Sequence, residues 1–199
     1  MTVKRVICQF KIELLGSDPS IWRRIQVPER YSFWDLHVAI QDAMGWLDCH
    51  LHAFRFGQSR FPSWEIGIPS DDDFSDIKIL PGWEIEIQER FSVGTSCIYE
   101  YDFGDCWSHE LTLEGIILAE KGRRYPICLE GELSCPPEDC GGIPGFYHLL
   151  EVLKDLEDEE YENITSWLGG EYRPDSFDPA DIKFDNPSKR WDYAFTDDS

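Results

Sequence analysis

The sequence predicts an α+β fold: one antiparallel or mixed β-sheet with helices packed on one face, formed as a single domain over residues 1–199. Three observations lead there. Residues 3–15 alternate apolar and polar, the period of two that marks a half-buried strand. A capped stretch of helical periodicity at 32–45 interrupts a run of such strands. Helical periodicity returns only after residue 144, so strands and helices are segregated and do not alternate as βαβ units. With 42% apolar residues and 8 Trp, 8 Tyr and 12 Phe, the chain has the material for a core. At this length folding buries roughly 70% of the unfolded surface, so neither a disulfide nor a metal is needed to hold the fold.

Taken in order, Val6, Cys8, Phe10, Ile12 and Leu14 share one face of the first strand, opposite Arg5, Gln9, Lys11 and Glu13. The turn Ser17-Asp18-Pro19-Ser20 returns the chain as a second strand, Ile21 to Val27, giving an opening hairpin. Ser32 caps the helix and Asp35 completes a capping box. Phe33, Leu36, Ile40 and Met44 form its stripe, and Gly45 ends it. A strand runs through Leu51 to Phe56, and 61–75, with its prolines and Asp71-Asp72-Asp73, reads as a long loop. That loop lacks the alternation and glycine of a calcium loop. Alternation at Trp83, Ile85 and Ile87 predicts another strand. Cys97–Phe103 and His109–Leu118 predict a hairpin around Gly104-Asp105-Cys106-Trp107, and 125–145 is rich in turn residues. Beyond Pro144 lie a helix with Phe146, Leu149, Leu150, Leu153 and Leu156 buried, a short helix stopping at Gly169, and proline-started turns at Asp178-Pro179 and Asn186-Pro187. Phe184, Trp191 and Phe195 are expected to dock on the domain.

The formal net charge is −21, and it is unevenly placed. Residues 1–70 carry eight Lys/Arg against seven Asp/Glu, while the rest carries ten against thirty-two. Nucleic-acid affinity rests mainly on cations displacing counterions from phosphates, so this chain is not expected to bind nucleic acid. Anionic membranes are disfavoured for the same reason, and no apolar run approaches the ~20 residues of a membrane helix. The opening residues lead into a strand pattern and not the apolar core of a signal peptide. Seven cysteines, an odd number, then point to free thiols in a reducing, cytoplasmic setting.

Residues able to do chemistry concentrate between Cys97 and Gly145. If 103–108 connects the hairpin, Asp102 and His109 stand directly opposite, within reach of a carboxylate–imidazole hydrogen bond. Such a pair orients a general base or a metal ligand, and equally staples a hairpin. Asp105 and Trp107 share that connection. A second constellation, Cys128 with Cys135-Pro-Pro-Glu-Asp-Cys140, offers three thiols that, with His109, make a zinc set; its other reading is a rigid turn. Cys49-His50-x-His52 puts two imidazoles on one face of a strand but lacks a nearby third ligand, so polar residues at a strand start are the simpler reading. His37 reads as a satisfied half-buried histidine and His148 as a solvent-edge one. No phosphate-cradling glycine loop, Gly-x-Ser-x-Gly or His-Glu-x-x-His is present.

Ile21-Trp-Arg-Arg-Ile-Gln-Val-Pro28, Gln41-Asp-Ala-Met-Gly-Trp46 with His50-Leu-His52, Tyr101-Asp-Phe-Gly-Asp-Cys-Trp-Ser-His109, Cys135-Pro-Pro-Glu-Asp-Cys-Gly-Gly142, and Trp167-Leu-Gly-Gly170 with Phe177-Asp-Pro179 fall in order along the chain. Together they resemble the plasmid pRiA4b ORF-3-like family. The resemblance implies a compact α+β domain of bacterial or archaeal type and brings no established activity or catalytic residues. Some relatives carry a resolvase label, which the acidic charge opposes. The resemblance also implies that the position of Cys140 is not always cysteine, leaving Asp102, Asp105, His109, Glu138 and Asp139 as the steadier cluster. The expected function is a non-enzymatic binding or adaptor module that meets a protein or small-molecule ligand through aromatic surface at Tyr99, Tyr101 and Trp107. The alternative is a metal-dependent hydrolase built on Asp102, Asp105 and His109 beside the Cys135–Cys140 loop, with zinc as its ion.

Overall fold

The computed structural model describes residues 5–57, 63–70 and 77–195. Eight strands, β1 (Val6–Leu14), β2 (Trp22–Pro28), β3 (His52–Phe56), β4 (Trp64–Gly67), β5 (Lys78–Pro81), β6 (Ser96–Tyr101), β7 (Trp107–Leu118) and β8 (Ile127–Glu132), form one sheet in the order β5-β4-β3-β6-β7-β1-β2-β8. Only β4 and β5 run parallel. Helices α1 (Phe33–Met44), α2 (Gly142–Val152), α3 (Tyr161–Leu168) and α4 (Pro187–Phe195) complete the single α+β domain.

The strand alternation decides which face is buried. Register pairs Phe10 with Ile25 and with Leu113, and Ile12 with Arg23 and with Leu111, so these side chains rise together into the core. Phe33, Leu36, Ile40 and Met44 of α1 and Phe146 of α2 fill the same core. The opposite face is a ladder of charges. Arg24 Nε lies 2.6 Å from Glu114, and Arg55 lies 2.7 Å from Glu65 and 2.8 Å from Glu100. Cross-strand pairs of this kind suit a face turned to water.

The first helix begins and ends as its sequence requires. Ser32 Oγ accepts the Asp35 N–H at 3.1 Å and Asp35 Oδ2 accepts the Ser32 N–H at 2.9 Å. Gly45 takes the left-handed conformation, φ 89°, and returns its N–H to Gln41 O. The terminal helix α4 covers α1. Trp34 Nε1 donates to Pro187 O, and Arg190 Nη2 donates to Asp42 at 2.7 Å.

Four sequence expectations are corrected. The loop expected at 61–75 contains β4, and Asp71–Asp73 lie outside the described residues. The strand expected at Trp83–Glu89 is an irregular segment ending in a 3-10 turn, Ile87–Glu89; its alternation reflects Ile85 and Ile87 anchoring it to the core. The turn-rich stretch 125–145 contains β8, an edge strand paired only with β2. Leu156 is exposed because α2 ends at Val152, so the buried stripe is Phe146, Leu149 and Val152.

The burial of two imidazoles sets an acid limit on this fold. His109 has no exposed surface, and desolvation lowers its pKa from 6.5 to about 4. His52, also buried, is lowered well below its usual value by desolvation, with the neighbouring His37 adding to the shift. Between about 4 and 6.5 the unfolded chain therefore binds protons that the folded chain refuses, so stability rises with pH in that window. It is complete above 6.5 and lost as pH falls toward 4. His109 alone accounts for about 3 kcal/mol. Urea unfolding midpoints are expected to hold from pH 7.5 to about 6.5 and then to fall toward pH 4.5, and a series flat throughout would contradict a neutral buried His109.

Candidate metal centre

The β6–β7 hairpin places the first half of the site. Its register pairs Tyr101 with Trp107 and Tyr99 with His109, so the connection is 102–106, not 103–108. Asp102 and His109 are consequently not opposed. His109 points inward, with Trp46 edge-on at 5.3 Å, its Nδ1 3.4 Å from Tyr99 O. Trp107, Tyr99 and Tyr101 are fully buried, which removes the aromatic contact surface expected there. Asp102 instead opens the connection in the left-handed region, φ 55°. Its Oδ1 accepts the Gly104 N–H at 2.9 Å, its N–H donates to Leu51 O, and Oδ2 is turned toward the 47–51 loop.

The Cys-Pro-Pro-Glu-Asp loop supplies the second half, fastened by hydrogen bonds along its length. Trp46 Nε1 donates to Pro136 O at 3.0 Å, and the Leu47 N–H donates to Glu138 Oε2 at 2.8 Å. Tyr101 Oη donates to the other oxygen of Glu138. Burial first, and then this carboxylate, push the tyrosine pKa up. Asp105 Oδ2 accepts the Gly141 N–H at 3.0 Å. Gly142 lets the two loops close on each other, because a Cβ there would stand 2.4 Å from Asp105 O. Glu138 and Asp105 thus act as braces, and Asp139 is left facing outward.

The third contributor is His50, in the loop between α1 and β3. That loop is tied down by Asp48, which holds His37 Nε2 at 2.7 Å, and by the Cys49 N–H, which donates to Tyr101 Oη at 2.9 Å. His50 Nε2 lies 2.8 Å from Asp139 Oδ1 and 3.7 Å from Asp102 Oδ2. The three ligand atoms all fall within 4.8 Å of one another, the one such group among the described residues. Burial is graded across it: Asp102 is buried, His50 half-buried and Asp139 exposed. Asp48, Asp102, Cys106 and Asp139 all have positive φ, and such outliers cluster at functional sites. A cleft of about 260 Å³ runs past Trp46, Pro137, Glu138 and Tyr172, and His50, Asp102 and Asp139 are not among its lining residues.

The zinc set does not assemble. Among the described residues, no three of Cys128, Cys135, Cys140 and His109 bring ligand atoms within 4.8 Å of one another. Cys135 Sγ accepts from Arg23 Nη2 at 3.1 Å and touches Met44 Sδ, Cys128 lies on the edge strand, and His109 is in the core. Burial, reinforced by Asp105 and Asp139, pushes the Cys140 thiol up to about 12. Burial also raises Cys128 and Cys135 to about 11, so all three remain thiols at neutral pH. His52 does not join His50 on one face, because its ring stacks flat on His37 in the core, centroids 3.5 Å apart. His148 pairs with Glu160 on the surface.

A model of the plasmid pRiA4b ORF-3-like protein matches residues 6–181. The chain belongs to that family. The family span includes His50, Asp102, Asp105, Glu138 and Asp139. The chain is 30% identical over 192 residues to the uncharacterised protein y4hQ of Sinorhizobium fredii, covering 94% of this chain and 91% of that protein. Its fold matches the crystal structure of a protein of unknown function, MM3350 from Methanosarcina mazei, with a TM-score of 0.80 and 39% identity, over 92% of this chain and all of the other. These relatives establish the family and its α+β fold and carry no activity with them. Among the described residues, no helix is long and apolar enough to cross a membrane.

Proposed function

We propose that His50, Asp102 and Asp139 hold a divalent cation, and that the protein acts as a metal-dependent hydrolase. The observation that carries this reading is the convergence of one imidazole nitrogen and two carboxylate oxygens from three separate loops. With metal–ligand bonds of about 2.0–2.2 Å, adjacent ligands around an ion stand about 3.0–3.5 Å apart. The separations of 2.8 and 3.7 Å from His50 bracket that range. Three protein ligands with a solvent-facing side is the pattern of catalytic sites, which keep a position for water. One nitrogen and two hard oxygens suit zinc or manganese better than calcium. The bound cation would lower the pKa of its water toward about 7 and so supply a nucleophile. His50 takes the place expected of His109, while Asp105 and Glu138 position the ligand loops.

The adaptor reading loses its proposed surface with the burial of Tyr99, Tyr101 and Trp107. Seven free cysteines are in keeping with a reducing, cytoplasmic setting. The acidic surface leaves nucleic acid the least favoured substrate. To test the reading, chelator-stripped protein is assayed against nitrophenyl esters and phosphoesters with zinc or manganese added. Turnover should require the metal, rise with pH to a plateau above about 7, and vanish in Asp139→Asn. Turnover indifferent to metal, or unchanged in that variant, would sink the hydrolase.

A further inference from the structure

Two residues before His50, Asp48 turns its carboxylate into the body of the protein. Its side chain is only 8% exposed and its backbone is left-handed, φ 62°. A carboxylate taken out of water is costly unless it is paired, and Asp48 is paired from two sides. Oδ1 lies 2.7 Å from Nε2 of His37, a fully buried residue of α1. Oδ2 lies 3.6 Å from Nη1 of Arg190, on the terminal helix α4. That Nη1 is buried and makes no hydrogen bond, and Asp48 is its counter-ion. The other end of the guanidinium, Nη2, donates to Asp42 of α1 at 2.7 Å and to Asp185 at 2.6 Å. Arg190 thus gathers carboxylates from α1, from the 47–51 loop and from the approach to α4.

The 47–51 loop is held at three successive residues. The Leu47 N–H donates to Glu138 and the Cys49 N–H to Tyr101, with Asp48 between them. Glu138 belongs to the ligand loop itself, whereas Arg190 ties Asp48 to an element that supplies no ligand. We propose that Arg190 is a positioning residue for the cation centre: acting through Asp48, it fixes the loop that carries His50, so that cation binding requires α4 to be docked. This rests on the reading of His50, Asp102 and Asp139 as cation ligands. Charge and position predict opposite signs for its removal. Deleting a positive charge near a cation site strengthens binding if charge alone acts, and weakens it if Arg190 acts by holding the loop.

Chelator-stripped Arg190→Met protein, titrated with zinc and with manganese, should bind about tenfold more weakly than the wild type. Amide hydrogen exchange of the metal-free protein gives a second reading that needs no cation. The Cys49 N–H, which donates to Tyr101, should exchange about tenfold faster in Arg190→Met and in Asp48→Asn. The N–H of Leu111, fully buried in β7, should keep its rate in both. Asp48→Asn keeps an oxygen for His37 and leaves Arg190 its bonds to Asp42 and Asp185, so it loosens the loop with α4 still docked. Unchanged or tighter cation binding by a folded Arg190→Met protein would overturn the proposal, as would Cys49 exchange unaltered in both variants. A wild-type chain that binds neither ion would instead sink the cation reading, and Cys49 exchange would still decide whether Arg190 holds the loop.

Discussion

Replacing Gly142 by alanine is expected to cost about 3 kcal/mol and to lower the melting temperature by about 10 °C. Two effects add. Gly142 has φ +67°, a region in which an L-residue with a Cβ is strained. The new Cβ would also meet Asp105 O at 2.4 Å, a clash with backbone that no side-chain rotation relieves. Gly169 separates them. It has φ +65°, but a Cβ there would meet nothing within 4 Å. Gly169→Ala should therefore carry the strain alone, about 1 kcal/mol. Thermal and urea unfolding of both variants checks the difference. Equal costs would mean that the two loops are not pressed together at Gly142. Because the contact holds Asp139 near His50, Gly142→Ala should also weaken cation binding.

Asp102→Asn is expected to reduce cation affinity at least about 100-fold while leaving the fold nearly intact. The amide oxygen of asparagine can still accept the Gly104 N–H, so the turn survives. The atom facing His50 becomes an uncharged N–H₂ donor, which cannot ligate a cation. Asparagine also tolerates the left-handed conformation that this position requires. A large loss of affinity with an unchanged melting temperature would mark Asp102 as a ligand. A matching loss of stability would mark it as part of the turn alone.

Much of the fold was legible because local signals agreed with the tertiary outcome. The opening hairpin and the capped helix at Ser32 follow from alternation and capping, both of which are short-range. β4 and β8 were missed because each lies at or near an edge and makes little of its own alternation. Trp83–Glu89 misled for the opposite reason: two isoleucines anchor a non-strand segment with strand spacing. The candidate site shows the same division. The sequence singled out Asp102, Asp105, Glu138 and Asp139, and the structure brings their loops together. The sequence did not single out the imidazole that stands beside them. Placing the hairpin connection at 103–108 in place of 102–106 put Asp102 opposite His109, and period-two geometry then turned an inward-facing imidazole toward the carboxylate. His50 was set aside for want of a third ligand nearby in sequence, yet Asp139 reaches it from 89 residues away. The available clue was the pairing of strands β3 and β6, which brings the start of one beside the end of the other and His50 beside Asp102.

Titration of chelator-stripped protein with zinc and with manganese tests the central claim most directly. The wild-type chain should bind one equivalent of at least one of these ions. His50→Ala should abolish that binding, and His148→Ala, which removes a surface imidazole paired with Glu160, should leave it unchanged. A wild-type chain that binds neither ion, or a His50→Ala protein that binds as the wild type does, would contradict the assignment.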